Sequence, residues 1–392
     1  MKIKSIKNLK NITGKRVLLR SDFNVPMENG RIQEDFKIMR NLLTINHLLA
    51  HKCRIIIVSH LGNPKAGEFL EKYSLKPVAK YLDKKIKEKV KFIDDTHGLA
   101  AGTAVMRMKN SEILFLENIR FEKGEKKNSA VFAKRLACLA DVYVNDAFGV
   151  SHRNDASVSA IKKYLPSYAG LLLENEVANL ERIKKPEKPL IVIIGGAKLA
   201  TKMPLLKKFQ KKTQKILLGG ALSNDFLAAH AYPVGRSLID KEGVALARKM
   251  IKSGQADNII LPIDVVVSNK QNHWSVRSVA AANVKEKDYI LDIGPKTIDF
   301  YKKYINGAAT VVWNGPMGLF EEPKFRHGTF ALARALAVAA DKKIFCAAGG
   351  GETVEAIKMA KVESHINWTS TGGGAMLSFL AEERMPGLEG LM

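Results

Sequence analysis

Long apolar runs are missing from this chain. No stretch reaches the roughly 20 residues needed to cross a bilayer, and the opening MKIKSIKN has no apolar core of the kind that marks a secretory signal. Both absences lead to the expectation of a cytoplasmic protein with no membrane partner. Cysteine is scarce: Cys53, Cys138 and Cys346 stand far apart, without the paired spacing of a zinc site. All three read as small core residues in a reducing compartment. Acidic residues are outnumbered, 39 against 63 lysines and arginines, for a formal net charge of +24. Such a charge suits nucleic acid, yet the lysine pairs (Lys84-Lys85, Lys126-Lys127, Lys211-Lys212) are spread along helical segments without interleaved aromatics. No specific nucleic-acid partner is expected, although the positive field would draw in anionic metabolites. Neither a P-loop nor a GxGxxG dinucleotide fingerprint occurs.

Glycine is thin in the first half, where only nine of 29 precede Lys184. The rest gather behind short apolar runs: Gly195-Gly196 after LIVII, Gly219-Gly220 after KILL, Gly315 with Gly318 after TVVWN, Gly349-Gly350-Gly351 after IFCAA, and Gly372-Gly373-Gly374 after WTST. Glycines between a buried strand and a helix let backbone N–H groups approach a phosphate closely. The first half instead follows its apolar runs with Arg20-Ser21-Asp22, Ser59-His60, Glu117-Asn118-Ile119-Arg120 and Asn145-Asp146. Arginine and histidine there grip a small anion with side chains. One half therefore reads as a nucleotide site and the other as a site for a small acidic partner.

Strand candidates alternate with helix-period segments throughout: Val17–Leu19, Ile55–Val58, Val90–Ile93, Ile113–Leu116 and Val142–Val144, then Leu190–Ile194, Ile216–Leu218, Ile259–Leu261, Thr310–Trp313 and Ile344–Ala347. This alternation predicts an α/β fold with a parallel sheet covered by helices on both faces, once in each half. The segment Glu174–Ile183 is helix-like, with Leu173, Val177, Leu180 and Ile183 on one face, and is broken by Lys184-Lys185-Pro186. It reads as a helix connecting two domains.

Individual motifs have plain structural explanations. GGAKLATK is compatible with a tight turn bearing surface lysines, although Lys198 and Lys202, four apart, share one face of a helix start. In RSDFN a period of two puts Arg20, Asp22 and Asn24 on one side of an extended segment. His60 alone is more often a satisfied structural histidine. Arg120 and His152-Arg153 occupy further strand-following positions. Several such sites in register, opposite a glycine-rich half, favour an anion site.

The ordered strings VLLRSDFNVP, IIIVSHLGNPK, LFLENIRF, NDAFGVSHR, IIGGAKLATK, LLGGALSNDFL, VGRSL, LPIDVVV, DIGPKT, VVWNGPMGLFE, GGGETV and STGGGA closely resemble the phosphoglycerate kinases. The resemblance covers nearly the whole chain. It implies two Rossmann-like domains, 1–168 and 187–372, joined by a connecting helix at 169–186 and a hinge, with a tail at 373–392 returning to the first domain. It implies a monomeric transferase that moves the acyl phosphate of 1,3-bisphosphoglycerate to Mg·ADP, giving 3-phosphoglycerate and ATP in glycolysis, with hinge closure. By the same resemblance Asp22, Phe23, Asn24, Lys37, His60, Leu61, Gly62, Asn63, Arg120 and Arg153 hold the glycerate substrate, and Arg20 lines the basic patch. Lys198, Lys202, Asn314, Glu321, Gly349, Gly350, Gly351, Glu352 and Thr353 take the nucleotide, and Glu352 takes Mg2+. Arg20, Lys37, Lys198, Gly350, Gly351, Gly372 and Gly373 steady the moving phosphoryl group. The chain departs from the family at Lys37 and Asn63, where arginine is usual, and at Glu352, where aspartate is usual. A second reading is a catalytically impaired nucleotide-binding protein kept for an interaction.

Overall fold

The computed structural model describes residues 3–210, 213–269 and 275–392, so the Lys211-Lys212 pair lies outside the described residues. The chain divides into two compact units, Met1–Glu181 with Glu383–Met392, and Arg182–Glu382.

In the first unit the apolar runs become β1 (Arg16–Ser21), β2 (Met27–Glu28), β3 (Arg31–Ile32), β4 (Arg54–Val58), β5 (Val90–Ile93), β6 (Ile113–Leu116), β7 (Val142–Asp146) and β8 (Ser167–Ala169). Apart from the small antiparallel hairpin β2–β3, these form one parallel sheet in the order β5-β6-β4-β1-β7-β8. Side chains alternate between its faces, as the period of two requires. Val17, Leu19, Ile55 and Ile57 pack with Ile38, Ile45 and Leu48 of the helix Phe36–Ala50. Leu18, Ile56, Leu114 and Leu116 pack with Phe132 and Leu136 of the helix Ala130–Ala137. With both faces covered, β6 and β7 are buried throughout, and β6 reads as a continuous apolar run.

The helix Leu171–Lys184 buries Leu173, Val177, Leu180 and Ile183 along one stripe. Its start is tied to the end of β7, where Asp146 Oδ1 accepts the Leu173 N–H at 3.0 Å. Glu383–Met392 belongs to the first unit: the Lys4 N–H donates to Leu391 O at 2.6 Å and the Gly387 N–H to Ser151 O at 2.8 Å. Cys53 and Cys346 are buried, but Cys138 is exposed, contrary to the expectation that all three are core residues. It caps the C-terminus of the helix Ala130–Ala137 and faces solvent between the buried pairs Leu136-Ala137 and Leu139-Ala140.

The second unit contains β9 (Leu190–Ile194), β10 (Lys215–Leu218), β11 (Ile259–Ile260), β12 (Asp264–Ser268), β13 (Val276–Ala280), β14 (Tyr289–Ile293), β15 (Thr310–Asn314), β16 (Phe345–Gly349) and β17 (Trp368–Ser370). Its parallel sheet runs β11-β10-β9-β15-β16-β17. The chain winds outward from β9 on one side and from β15 on the other, so the switch point lies between these two strands. Ligands of open parallel sheets bind at the carboxyl edge at such a point. The parallel reading misses a second, antiparallel sheet, β13-β12-β14, inserted between β11 and β15. On β13 exposed and half-buried residues alternate, as on a strand wet on one face, which gives no continuous apolar run to find. No described helix is long and apolar enough to cross a membrane.

Candidate active site

In the first unit, β1, β4 and β6 are neighbours, and each delivers polar residues at its carboxyl end. Arg20 is the penultimate residue of β1, and its Nη2 donates to His60 Nδ1, two residues beyond β4, at 3.3 Å. An arginine N–H can only donate, so Nδ1 accepts and the imidazole carries its proton on Nε2. Asp22 Oδ2 pairs with Lys37 Nζ, from the first turn of the helix Phe36–Ala50, at 2.9 Å. Asn24 Oδ1 accepts the Gly62 N–H at 2.8 Å, and Gly62 O accepts from Arg120 Nη1 at 2.6 Å. Gly62 has φ +60° and packs so closely on Tyr73 that an added Cβ would sit 2.3 Å from the ring. Only glycine links these two side chains here. The remaining Arg120 nitrogens, Nε and Nη2, are buried without a partner. Buried donors normally find acceptors, so a guanidinium with two open atoms fits an anionic ligand.

The charges in this cluster act on one another. Burial disfavours ionised Asp22, but its basic neighbours, the Lys37 ammonium first among them, outweigh it and hold the carboxyl well below its usual range. Burial, reinforced by Arg20, Arg120 and Lys37, pushes His60 well down against the pull of Asp22, so the ring is neutral. Burial and the charge of Arg153 bring Arg120 down to about 10. Arg153 itself is exposed on the loop after β7. Asn63 is exposed, and its side-chain oxygen accepts from Lys126 Nζ. Phe23 and Leu61 have their side chains in the apolar core, which leaves only their main chains for the site.

In the second unit the glycine clusters meet at the β9/β15 switch point. The Gly195 N–H donates to Asn314 O and the Gly196 N–H to Pro316 O, both at 2.9 Å. The Gly219 N–H donates to Ile194 O at 3.0 Å and the Gly220 N–H to Met317 O at 2.8 Å. A Cβ on Gly195 would lie 2.0 Å from Pro316 O. These glycines allow three loops to cross in contact, and their N–H groups are already taken. That differs from the expectation that their amides face a phosphate. Gly350, at φ +100°, instead opens the helix Gly351–Met359, whose first N–H groups have no intrahelical acceptor. The Gly372 N–H is taken by Ser370 Oγ at 3.0 Å, and Gly373 has φ +40°.

Lys202 Nζ donates to Asn314 Oδ1, Asn314 Nδ2 donates to Gly349 O at 2.7 Å, and the Gly315 N–H donates to Thr353 Oγ1 at 2.7 Å. This chain of bonds ties the ends of β15 and β16 to the helix Leu199–Gln210. Burial lowers the Lys202 ammonium, against the attraction of Glu352. Lys198 is exposed just before the helix. Beside these residues a cleft of about 620 Å3 is lined by Gly196, Gly220, Met317, Leu319, Glu321 and Glu352, with Tyr289–Ile293 from β14 on its other wall.

A family model described as phosphoglycerate kinase matches residues 6–383. The chain belongs to the phosphoglycerate kinase family. It is a kinase, hence a phosphotransferase. It is 42% identical to the phosphoglycerate kinase of Pelotomaculum thermopropionicum over 385 residues, 97% of each chain. It is likewise 42% identical to that of Moorella thermoacetica over 384 residues, again 97% of each. Among solved structures, the phosphoglycerate kinase of Coxiella burnetii aligns with a TM-score of 0.85 at 37% identity, covering 99% of this chain and 98% of that one. The enzyme of Pyrococcus horikoshii aligns at 0.86 with 28% identity and the same coverage.

Within this family member, several residues that shape the sites went unassigned in the sequence. Asn118 Nδ2 donates to Leu61 O at 2.8 Å and Tyr73 O at 2.9 Å, and its Oδ1 accepts the Arg120 N–H at 3.0 Å, so it sets the loop that carries Arg120. Its place in LFLENIRF was the available signal. The wall formed by Tyr289–Ile293 was not assigned, because β14 adds to the cleft only through the inserted antiparallel sheet; the string DIGPKT, which opens at Asp292, was the available signal.

Proposed function

We propose that the protein catalyses reversible, in-line transfer of the acyl phosphate of 1,3-bisphosphoglycerate to Mg·ADP, giving 3-phosphoglycerate and ATP. In that direction an oxygen of the ADP β-phosphate forms a bond to the acyl phosphorus while the bond to the carboxylate oxygen breaks, and no proton is transferred. Residues of the first unit bind the glycerate: Arg120 through its open nitrogens, His60 through Nε2–H, and Arg20 and Arg153 by charge. Asp22 and Asn24 add acceptors for hydroxyl groups. Lys37 has three N–H donors and uses one on Asp22, so two are available for the phosphoryl group. Residues of the second unit bind the nucleotide, with the base in the cleft under Met317 and Leu319, the ribose at Glu321, and the phosphates near Lys198 and Lys202. The N–H groups at Gly350-Gly351 then face the transferring group.

Glu352 fits a hard cation. Its carboxylate is exposed at the cleft, and Mg2+ shared with phosphates needs one or two carboxylates and keeps several waters. The ion, when bound, neutralises phosphate charge. Transfer requires the two ligands to meet, so closure about the helix Leu171–Lys184 belongs to this proposal. So do a cytoplasmic location and a monomeric state. Buried Cys53 and Cys346 are inert packing groups, since burial raises their thiols to about 11 and 12.

The observation that carries the reading is the buried, half-open Arg120 guanidinium among the other cations at the carboxyl edge of β1, β4 and β6. The test is a coupled assay of ADP formation from 3-phosphoglycerate and Mg·ATP. Turnover that saturates in both substrates is expected, and its absence in folded protein overturns the proposal.

A further inference from the structure

One fully buried acid of the first unit has no role in the transfer just described. Glu125 lies on the loop between β6 and the helix Ala130–Ala137, and both of its carboxylate oxygens accept from one residue. Oε2 takes the Ser157 N–H at 2.9 Å and Oε1 takes the Ser157 hydroxyl at 2.6 Å. Ser157, itself 1% exposed, accepts in turn from Arg20 Nε at 2.9 Å. The backbones of both partners are tied as well: Tyr143 Oη donates to Ser157 O at 2.7 Å, and the Ala156 N–H to Glu125 O at 2.9 Å.

The direction of these bonds follows from the donors. With Glu125 ionised, the hydroxyl's one proton goes to that carboxylate, since an arginine N–H cannot accept it, and the oxygen lone pairs face Arg20. Arg20 is then held at three nitrogens, with Nε on Ser157, Nη1 on Ser21 O and Nη2 on His60. One N–H on each terminal nitrogen remains. We propose that Glu125, acting through Ser157, is a positioning residue that fixes the Arg20 guanidinium and so orients its two free N–H groups for the acidic substrate. The inference rests on the proposed placing of the glycerate substrate beside Arg20.

Glu125→Gln keeps the shape but replaces one acceptor by a donor. The amide cannot accept both the Ser157 N–H and its hydroxyl, so the hydroxyl loses its fixed direction. We expect KM for 3-phosphoglycerate to rise about tenfold or more, the effect of one misdirected charge-assisted bond. KM for Mg·ATP should stay within about twofold, because the nucleotide residues lie in the other unit. Ser157→Ala should do the same, and the double variant should be no worse than the worse single one, since both act through one link. A Glu125→Gln enzyme with wild-type KM for 3-phosphoglycerate overturns the inference, as does a double variant whose fold-changes multiply. A Glu125 that only braced the loop would lower Tm and the concentration of active enzyme without separating the two KM values. Should Glu125→Gln not fold, Ser157→Ala alone decides: a selective rise in KM for 3-phosphoglycerate supports the link, and no rise refutes it. If the wild-type protein does not turn over 3-phosphoglycerate, the proposed function fails; if it does and the variants match it, only this inference fails.

Discussion

Arg120→Ala separates substrate binding from folding more sharply than any other change. Arg120 has one side-chain partner, Gly62 O, and two buried nitrogens without any. Two charge-assisted bonds from those nitrogens to the substrate are worth about 1.5–3 kcal/mol each. Their loss, about 3–6 kcal/mol together, should weaken 3-phosphoglycerate binding by roughly two to four decades. Stability should respond differently. Burial and Arg153 already disfavour this cation, holding it near 10, so its removal relieves crowding while losing one bond to a carbonyl. The expected change in Tm is within about 3 °C in either direction. Arg120→Lys keeps a charge but lacks the fork, and should fall between alanine and wild type. Isothermal calorimetry with 3-phosphoglycerate and, separately, Mg·ADP reads both sites. Binding of Mg·ADP should be unchanged, because the residues assigned to it all lie beyond Lys184. Unaltered affinity for 3-phosphoglycerate, or an equal loss for Mg·ADP, refutes the reasoning.

Lys37→Ala should lower kcat by two to three decades, about 3–4 kcal/mol for a preorganised donor that acts in the transition state, with a much smaller change in KM; near-wild-type turnover would remove Lys37 from the chemistry. Glu352→Gln should raise the Mg2+ concentration needed for half-maximal activity, while Glu352→Asp stays active; an unchanged Mg2+ titration excludes that carboxylate as a ligand. Asp292 gives a pH test. Burial, against N–H donors from Gly328 and Ile293, raises its pKa to about 8, whereas an unfolded aspartate titrates near 4. Between those values the folded state holds the extra proton, so this residue makes stability fall as pH rises, levelling off above about 8. Asp292→Asn should flatten the slope of denaturation free energy between pH 5 and 8, and an identical slope in the variant would show that the carboxyl is ionised when folded.

Both parallel sheets were legible in the chain because strands buried on two faces must be apolar throughout, as LIVII and ILFL are. The polar residues at their ends were legible too, since a charge placed directly after a buried run has to lie at the sheet's edge. Pattern alone did not reveal the β13-β12-β14 sheet, whose edge strand β13 has no buried residue, or Cys138, which faces solvent between two buried pairs. Pattern also could not separate glycines that face a phosphate from glycines of a tight turn, and Gly195 and Gly220 serve the crossing of three loops. That distinction depends on which backbone comes close, a property of distant segments rather than of neighbours.

By itself the sequence determined the α/β class, the division into an anion-binding half and a glycine-rich half, and the residues at the strand ends, because burial and periodicity act over a few residues. Tertiary structure alone decided which of those residues meet. Arg20, His60, Gly62 and Arg120 are up to 100 positions apart and converge because β6, β4 and β1 are neighbours in the sheet. The two open nitrogens of Arg120 and the buried link from Glu125 to Arg20 exist only after that convergence, since each depends on desolvation and on partners brought from other strands.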